Sequence, residues 1–148
     1  MQQAIGALAL LVPDYDEAID YYTQVLGFEL VEDTPMGTEK RWVVVRPMNT
    51  EVNEVNTETA GASGRLSCAL VLAKAKNEAE RAHIGNQTGG RVFLFLHTDD
   101  FWRDYTRYRE NGVRFLEEPR TESYATVAVF EDRFGNRWDL LQKNAQAV

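Results

Sequence analysis

The chain has 148 residues, of which 44% are apolar and 11% aromatic, so it can bury the core of one ordinary domain or of two small modules. The formal net charge is −7 without a cluster of Lys or Arg. This argues against nucleic acid as a partner, because an acidic surface repels phosphate. No apolar run reaches the roughly 18 residues needed to cross a bilayer, and the first residues lack the pattern of a signal peptide. We therefore expect a cytoplasmic protein without a membrane partner.

Residues 1–75 carry the pattern of one βαβββ module. The apolar run from Ile5 to Val12 predicts a buried strand. Asp14 stands three residues before Glu17, which is the spacing of a capping box at the start of a helix, and Gly27 predicts the end of that helix. Three further strands are predicted at 28–32, 41–46 and 66–72.

Two segments and one cysteine do not follow this pattern. The polar stretch 49–64 predicts a mobile surface loop, with closure over a ligand as the alternative. Residues 76–90 predict a linker with a short helix at 77–84, and the Gly-rich end of this linker could also donate hydrogen bonds to a ligand. Cys68 is the only cysteine, and its apolar neighbours predict a buried strand thiol, with catalysis as the alternative.

Residues 91–148 repeat the first module. A strand is predicted at 91–97, and a helix follows that is capped by Asp99 or Thr98 and ends at Gly112. Thirteen residues separate Asp14 from Gly27 and also Asp99 from Gly112. The remaining strands are predicted at 113–117, 126–130 and 137–142. Two copies of one unit predict a pseudo-twofold architecture with any function between the copies.

Two motifs carry a resemblance to a known superfamily. The first is Val12-Pro13-Asp14 leading to Ala18-Ile19-Asp20-Tyr21-Tyr22 and Leu26-Gly27-Phe28. The second is Phe130-Glu131-Asp132 leading to Gly135-Asn136-Arg137-Trp138-Asp139-Leu140. With the repeat, these motifs resemble the vicinal oxygen chelate superfamily, which includes glyoxalase I, extradiol dioxygenases and the fosfomycin- and bleomycin-resistance proteins. The resemblance covers almost the whole chain and implies an α+β fold, in which two βαβββ modules form an open cup of mixed β-sheet with helices outside.

Enzymes of this superfamily hold a divalent metal in the cup with His, Glu or Gln from cup-facing strand positions. The matching positions in this chain are Ala7, Phe93, Asp139 and, within a residue or two, Val71. Three of these side chains have no lone pair for a cation, and one carboxylate alone cannot hold a transition metal against water. The resemblance therefore implies that this chain has lost the usual metal site, and we expect neither a metal nor another cofactor.

Strand alternation then predicts which side chains line the cup. If Phe93 points into the cup, then Arg91, Phe95 and His97 on the same strand do so as well. On the last strand, Arg137 shares a face with Asp139. Trp42, Trp102 and Trp138 are predicted in the core, although Trp42 is the one of the three expected to stack on a ligand. The predicted ligand-binding residues are Trp42, Arg91, Phe93, Phe95, His97, Arg137 and Asp139. This composition suits a planar or partly apolar small molecule.

The polar groups leave alternatives open. His97 is either a general base oriented by Asp139 or a rim histidine bonded to the backbone. A relocated metal site from His97, Asp139 and Glu131 is a further alternative, and Arg137 and Asp139 could simply pair. The acidic run 117–118 with Arg120, like the pair 99–100, is predicted as the solvated end of an element.

Two functions from different classes are consistent with these residues. One is metal-independent binding of a small, partly aromatic molecule, as in the bleomycin-resistance branch of the superfamily. The other is an enzyme of the lyase or dioxygenase type, with an unusual metal site or with His97 and Asp139 as an acid–base pair. The resemblance also implies a homodimer, in which modules of different chains complete each cup.

Overall fold

The computed structural model describes residues 1–49 and 67–145. Apart from Asn49, the loop predicted at 49–64 lies outside the described residues, as does the first residue of the strand predicted at 66–72. The chain divides into two compact units, Met1–Lys76 and Asn77–Val148. Among the described residues, no helix is long and apolar enough to cross a membrane.

The first unit is a four-stranded sheet with one long helical segment. Its elements are β1 (Ala7–Val12), α1 (Tyr15–Asp20) continued by a π-helical turn (Tyr21–Val25), β2 (Glu29–Pro35), β3 (Arg41–Arg46) and β4 (Ala69–Lys74). The strands lie in the order β1-β4-β3-β2. β1 and β4 run parallel, and the other two pairs are antiparallel.

The two faces of this first sheet differ in the size of their side chains. One face carries Leu10, Leu72 and Val43 in register, all buried together with Tyr22 of the π-helical turn. On the opposite face the pairs between β1 and β4 are small, with Ala7 in register with Ala69 and Ala9 with Val71. We call the first the helix face and the second the open face, and use the same names in the second unit.

The second unit repeats this topology. Its elements are α2 (Glu78–His83), β5 (Leu94–His97), α3 (Phe101–Glu110), β6 (Arg114–Phe115), β7 (Arg120–Thr121), β8 (Ala125–Glu131) and β9 (Arg137–Lys143). The strands lie in the order β5-β9-β8-β6, with β7 also paired to β8. β5 and β9 are parallel, as β1 and β4 are. The predicted α+β fold of two βαβββ modules is confirmed, and both mixed sheets are open.

Aromatic rings fill the core of the second unit. On the helix face of its sheet, Phe130 stacks on Trp138 with 5.7 Å between ring centroids and lies 5.6 Å from Phe115. α3 adds Tyr105 at 4.5 Å from Phe115 and Tyr108 at 5.6 Å from Phe130, both edge-on. Because aromatic pairs in such geometries add about 0.5–1.5 kcal/mol each to the burial of their area, this face anchors the helix firmly.

The two helices start alike but differ in length by one residue. Asp14 accepts a hydrogen bond from the Glu17 amide at 3.0 Å, which confirms the predicted cap. In the second unit the cap is Asp100, which accepts from the Arg103 amide at 3.1 Å, and not Asp99 or Thr98 as predicted. Thr98 instead accepts from the Asp100 amide, and Asp99 pairs with Arg103.

With Asp100 as the cap, the distance along the sequence from cap to closing glycine differs between the two units. From cap to closing glycine there are thirteen residues in the first unit (14 to 27) and twelve in the second (100 to 112). A π-helical turn accommodates one extra residue within a helix, and Tyr21–Val25 forms such a turn. Both segments nevertheless close on a glycine with positive φ, 76° at Gly27 and 84° at Gly112.

The strand predicted at 113–117 is shorter and is followed by a separate strand. β6 covers only Arg114–Phe115, and β7 begins at Arg120, so the described residues contain nine strands and not eight. Pro119 has no amide proton to donate to a neighbouring strand, which explains an interruption at this place. Both short strands pair with β8.

Two predictions about burial were wrong. Cys68 precedes β4 and is exposed, because the strand begins one residue later, at Ala69. Of the tryptophans, Trp138 is buried as predicted, whereas Trp42 and Trp102 are exposed large apolar side chains. Trp102 lies on α3 beside Phe101 with its ring edge-on, on the side of the helix that stays in solvent.

The residues after α2 pack against the turn between β8 and β9. Gly85 has a φ of 75°, and a Cβ placed on it would lie 2.2 Å from the carbonyl oxygen of Phe134. Further along, Arg137 donates from Nη1 to the carbonyl oxygen of Gly90 at 3.3 Å. The predicted short helix is confirmed as α2, capped by Asn77. The segment that follows it is held against the second sheet.

We expect Gly85→Ala to destabilise the protein more than Gly89→Ala. Both glycines have a positive φ, which costs an alanine about 1–2 kcal/mol, but a Cβ at Gly89 meets nothing within 4 Å. The clash at Gly85 should add about 1–3 kcal/mol to the loss in free energy of unfolding, measured by urea denaturation. Equal losses in the two variants would contradict the close packing of Gly85 on the turn.

Candidate functional site

The open face of the second sheet carries most of the predicted site residues. Phe95 on β5 is in register with Asp139 on β9, and Asp139 is in register with Val129 on β8. His97 is likewise in register with Leu141 on this face. Because directly paired residues point to the same side of a sheet, these side chains share one surface.

Phe95 and Asp139 form the centre of this surface. Phe95 is 61% exposed, which is unusual for a phenyl ring in the middle of a strand. Asp139 beside it is partly buried, and its Oδ1 atom is buried without a hydrogen bond from the described residues. The pair combines an accessible aromatic ring with a carboxylate oxygen that lacks a donor.

Two residues of this site were not predicted. Glu117 follows β6, and its Oε1 accepts the Val129 amide at 3.1 Å. Arg120 on β7 is in register with Val127, which places it on the open face, and its Nε donates to both carboxylate oxygens of Glu117 at 3.1 Å. Glu118 and Arg120 are exposed, as predicted for the solvated end of an element, whereas Glu117 is half-buried and bound to the backbone.

These neighbours and burial together determine the pKa of Asp139. Desolvation by burial raises the pKa of its carboxyl above the usual value, because the charged form loses hydration. The positive charge of Arg120 lowers that pKa and the negative charge of Glu117 raises it, both as smaller effects. Burial therefore makes the charged form of Asp139 less favourable than it is in water.

The other predicted residues of the second unit are more peripheral. His97 is exposed at the end of β5, and no hydrogen bond joins it to Asp139 within the described residues. Arg137 and Asp139 form no ion pair, since the Arg137 guanidinium bonds to the carbonyl of Gly90. Arg91 is exposed, and the Phe93 amide donates to the carbonyl oxygen of Arg137 at 2.8 Å, ahead of the first residue of β5.

Trp42 belongs to the open face of the first sheet. The alternation on β3 places it on the side of Val44, opposite buried Val43. Its indole Nε1 donates to Glu32 Oε2 at 3.0 Å, and its side chain is 40% exposed. The facing of Trp42, which the sequence could not establish, is therefore determined by the strand register.

The positions where the resemblance implies metal ligands lie on both sheets. In the first, Ala7 pairs with Ala69 and Val71 pairs with Ala9, so small apolar side chains occupy this face. In the second, Asp139 pairs with Phe95. In the two described ranges, no three His, Cys, Asp or Glu side chains come together as a group that could hold a metal ion.

We expect Asp139→Asn to raise the free energy of unfolding relative to the wild type at neutral pH. A raised pKa in the folded state means that ionisation of Asp139 opposes folding, so wild-type stability falls as pH rises above the ordinary value of 3.8. The advantage of the variant should thus grow from about pH 4 to neutral pH in urea denaturation. Glu118→Gln controls for the lost charge, and an advantage that shrinks with rising pH would contradict the argument.

Comparison with known proteins agrees with this architecture. The chain is 50% identical to an uncharacterised protein of Shewanella frigidimarina over 97% of its own length and 96% of that protein's. Among solved structures, UcmS2 matches with a TM-score of 0.73 and 29% identity, covering 95% of this chain and 98% of that one. TnmS3, an antibiotic binding protein from Streptomyces sp. CB03234, matches with a TM-score of 0.68 and 26% identity, covering 97% and 98%.

A family model matches nearly the whole length of the chain. It describes the glyoxalase/bleomycin resistance protein/dioxygenase superfamily and matches residues 4–140, which include both βαβββ units. The repeated topology, the closing hairpin motif and the similar solved structures agree with this match. The chain therefore belongs to the glyoxalase/bleomycin resistance protein/dioxygenase superfamily.

Proposed function

We propose that this protein binds a small, partly aromatic molecule on the open face of its second sheet, without a metal ion. The observation that carries the proposal is the exposed ring of Phe95 directly beside the partly buried Asp139. A planar apolar molecule can stack on the ring, while the carboxylate fixes its orientation through a hydrogen bond.

The surroundings of Phe95 suit such a ligand. Ala125, Val127 and Leu141 form a small buried apolar cluster on the same face, and Val129 beside Asp139 is half-buried. The polar groups are few, as is usual in sites for small apolar molecules.

A related protein supports binding as the function. TnmS3 is an antibiotic binding protein, and its structure matches that of this chain over both units. The fold alone does not determine the chemistry, because enzymes and binding proteins share it. The likeness therefore supports binding of a small molecule only together with the aromatic surface at Phe95.

The residues at the family's ligand positions do not fit a metal ion. Ala7, Val71 and Phe93 have no donor atom, and Asp139 is the single oxygen donor among the four positions. Transition metals in proteins take three or more side-chain ligands in most sites, so one carboxylate would lose the ion to water.

Nothing in the site favours the acid–base alternative. His97 and Asp139 share no hydrogen bond in the described ranges. The neighbours of Asp139 on the adjacent strands are Phe95 on β5 and Val129 on β8. A base and the group that orients it must lie within hydrogen-bond reach. The homodimer implied by the resemblance stays a prediction.

We expect Phe95→Ala to raise the Kd for 1-naphthylmethanol about tenfold, measured by isothermal titration calorimetry. Loss of stacking and apolar contact amounts to about 1.4 kcal/mol. Because the ring is exposed, the free energy of unfolding should change little. Trp102→Ala is the matched control, since it removes an exposed ring from α3 and should leave the affinity unchanged. Unaltered binding by the Phe95 variant, or equal loss in both variants, would refute the site.

Removal of metal should leave binding unchanged. After purification without chelator, elemental analysis should find less than stoichiometric divalent metal, and dialysis against EDTA should not alter the Kd for 1-naphthylmethanol. The physical reason is that the four family positions offer one donor side chain between them. A tightly held ion whose removal abolishes binding would overturn the metal-independent proposal.

A further inference from the structure

The Asp139 carboxylate is an incomplete hydrogen-bonding group. Its Oδ1 atom is buried and accepts no hydrogen bond from the part of the chain that the structure describes. A buried acceptor without a donor costs about 1–3 kcal/mol, and more when it is charged. Such a group calls for a physical explanation, and a donor brought by a bound molecule is one that would satisfy it.

The cation that lowers the pKa of Asp139 is already engaged with other carboxylates. Arg120 donates from Nε to Glu117 and from Nη1 to Glu122 at 2.8 Å, so two glutamates balance its charge. Glu117 in turn accepts the Val129 amide, which fixes its position beside the sheet. The Arg120 side chain is thus held by glutamates on either side of it in the sequence, and among the described residues it forms no bond to Asp139.

The charges of this cluster do not cancel. Three carboxyls, Asp139, Glu117 and Glu122, stand against one guanidinium, so the ionised cluster carries a net charge of −2 (three negative, one positive). Arg137, two residues from Asp139 on the same strand, adds a second positive charge while it donates to the Gly90 carbonyl, so an excess of one negative charge remains (three negative, two positive). An incoming anion would meet repulsion here, whereas a cation would be attracted.

From this geometry we infer that the molecule bound at Phe95 carries a positively charged N–H donor, such as a protonated amine, which bonds to Asp139. The inference rests on the proposed function and narrows the class of its ligand. One ammonium group would satisfy the Oδ1 atom and reduce the excess negative charge, while the attached ring stacks on Phe95. Carboxylates and phosphates are excluded from this class.

Three naphthalenes of matched shape test the inference. At neutral pH 1-naphthylmethylamine is a cation, 1-naphthylmethanol is neutral and 1-naphthoate is an anion. In calorimetric titrations at constant ionic strength, we expect the amine to bind at least tenfold more tightly than the alcohol, and the carboxylate to bind most weakly. Constant ionic strength matters because salt screens exposed charges.

Two variants separate a specific bond from the general field of an acidic protein. Asp139→Asn should weaken binding of the amine about tenfold and binding of the alcohol by a clearly smaller factor, because the alcohol loses a neutral hydrogen bond and the amine loses a charged one. Glu118→Gln removes the same charge from an exposed side chain next to Glu117 and should change neither affinity. An equal effect of the two substitutions on the amine would refute the bond to Asp139.

The failures of the two proposals are distinguishable. If the three probes bind with equal affinity, or the carboxylate binds most tightly, the inference about charge is wrong while binding of an aromatic molecule stands. If no probe binds to the wild-type protein, the proposed function fails, and the inference fails with it.

Discussion

The carboxylate of Asp132 is the interaction on which the second unit depends. Its Oδ1 accepts the amides of Phe134 and Asn136, and its Oδ2 accepts the indole N–H of Trp138 and the side-chain amide of Asn136. One buried side chain thereby determines the shape of the turn between β8 and β9. A shift of one residue in this register would turn Asp139 to the helix face and expose Trp138. The position of Asp139 in the candidate site therefore depends on the hydrogen bonds that Asp132, seven residues earlier in the chain, accepts within the turn.

The two faces of the second sheet differ in role: one packs the core, and the other carries the site proposed for binding. On the helix face, stacked and edge-on rings from Phe115, Phe130 and Trp138 pack against rings of α3. That packing allows the opposite face to carry a carboxylate with an unmet hydrogen bond, which costs stability. Binding sites commonly concentrate such unfavourable groups where a rigid scaffold holds them.

The sequence predicted the elements well where local chemistry determines them. Asp14 caps its helix as predicted, because its carboxylate stands directly before an amphipathic helix and can accept an amide of the first turn, and Asn77 does the same for α2. At the second long helix, three candidates stand in a row, and the tertiary contacts of Thr98 and Asp99 leave the cap to Asp100. Strand alternation likewise predicted that Phe95 and Asp139 share one face, and their pairing in register between β5 and β9 agrees with that prediction.

The missed residues depend on contacts between segments that lie apart in sequence. Glu117 and Arg120 look like surface charges, because nothing local shows that Glu117 will replace a backbone carbonyl as acceptor for the Val129 amide. The interruption at Pro119 was the available signal, since a strand broken by proline leaves a neighbouring amide in need of a partner. The facing of Trp42 also needed the pairing of β3 with β4, which sets Val43 beside Leu72 on the helix face and so turns Trp42 to the other side.

The π-helical turn after α1 shows how the two halves of a duplicated chain can drift apart in length. An added residue inside a regular helix would rotate everything beyond it by about 100° and misdirect the following strand. Here the turn confines the surplus to Tyr21–Val25, and the Phe28 amide still closes the segment by bonding to the carbonyl of Tyr22 at 2.8 Å. Insertions of this kind can accumulate in one half while strand pairing in both halves stays the same, so length is a poor guide to ancestry between the two repeats.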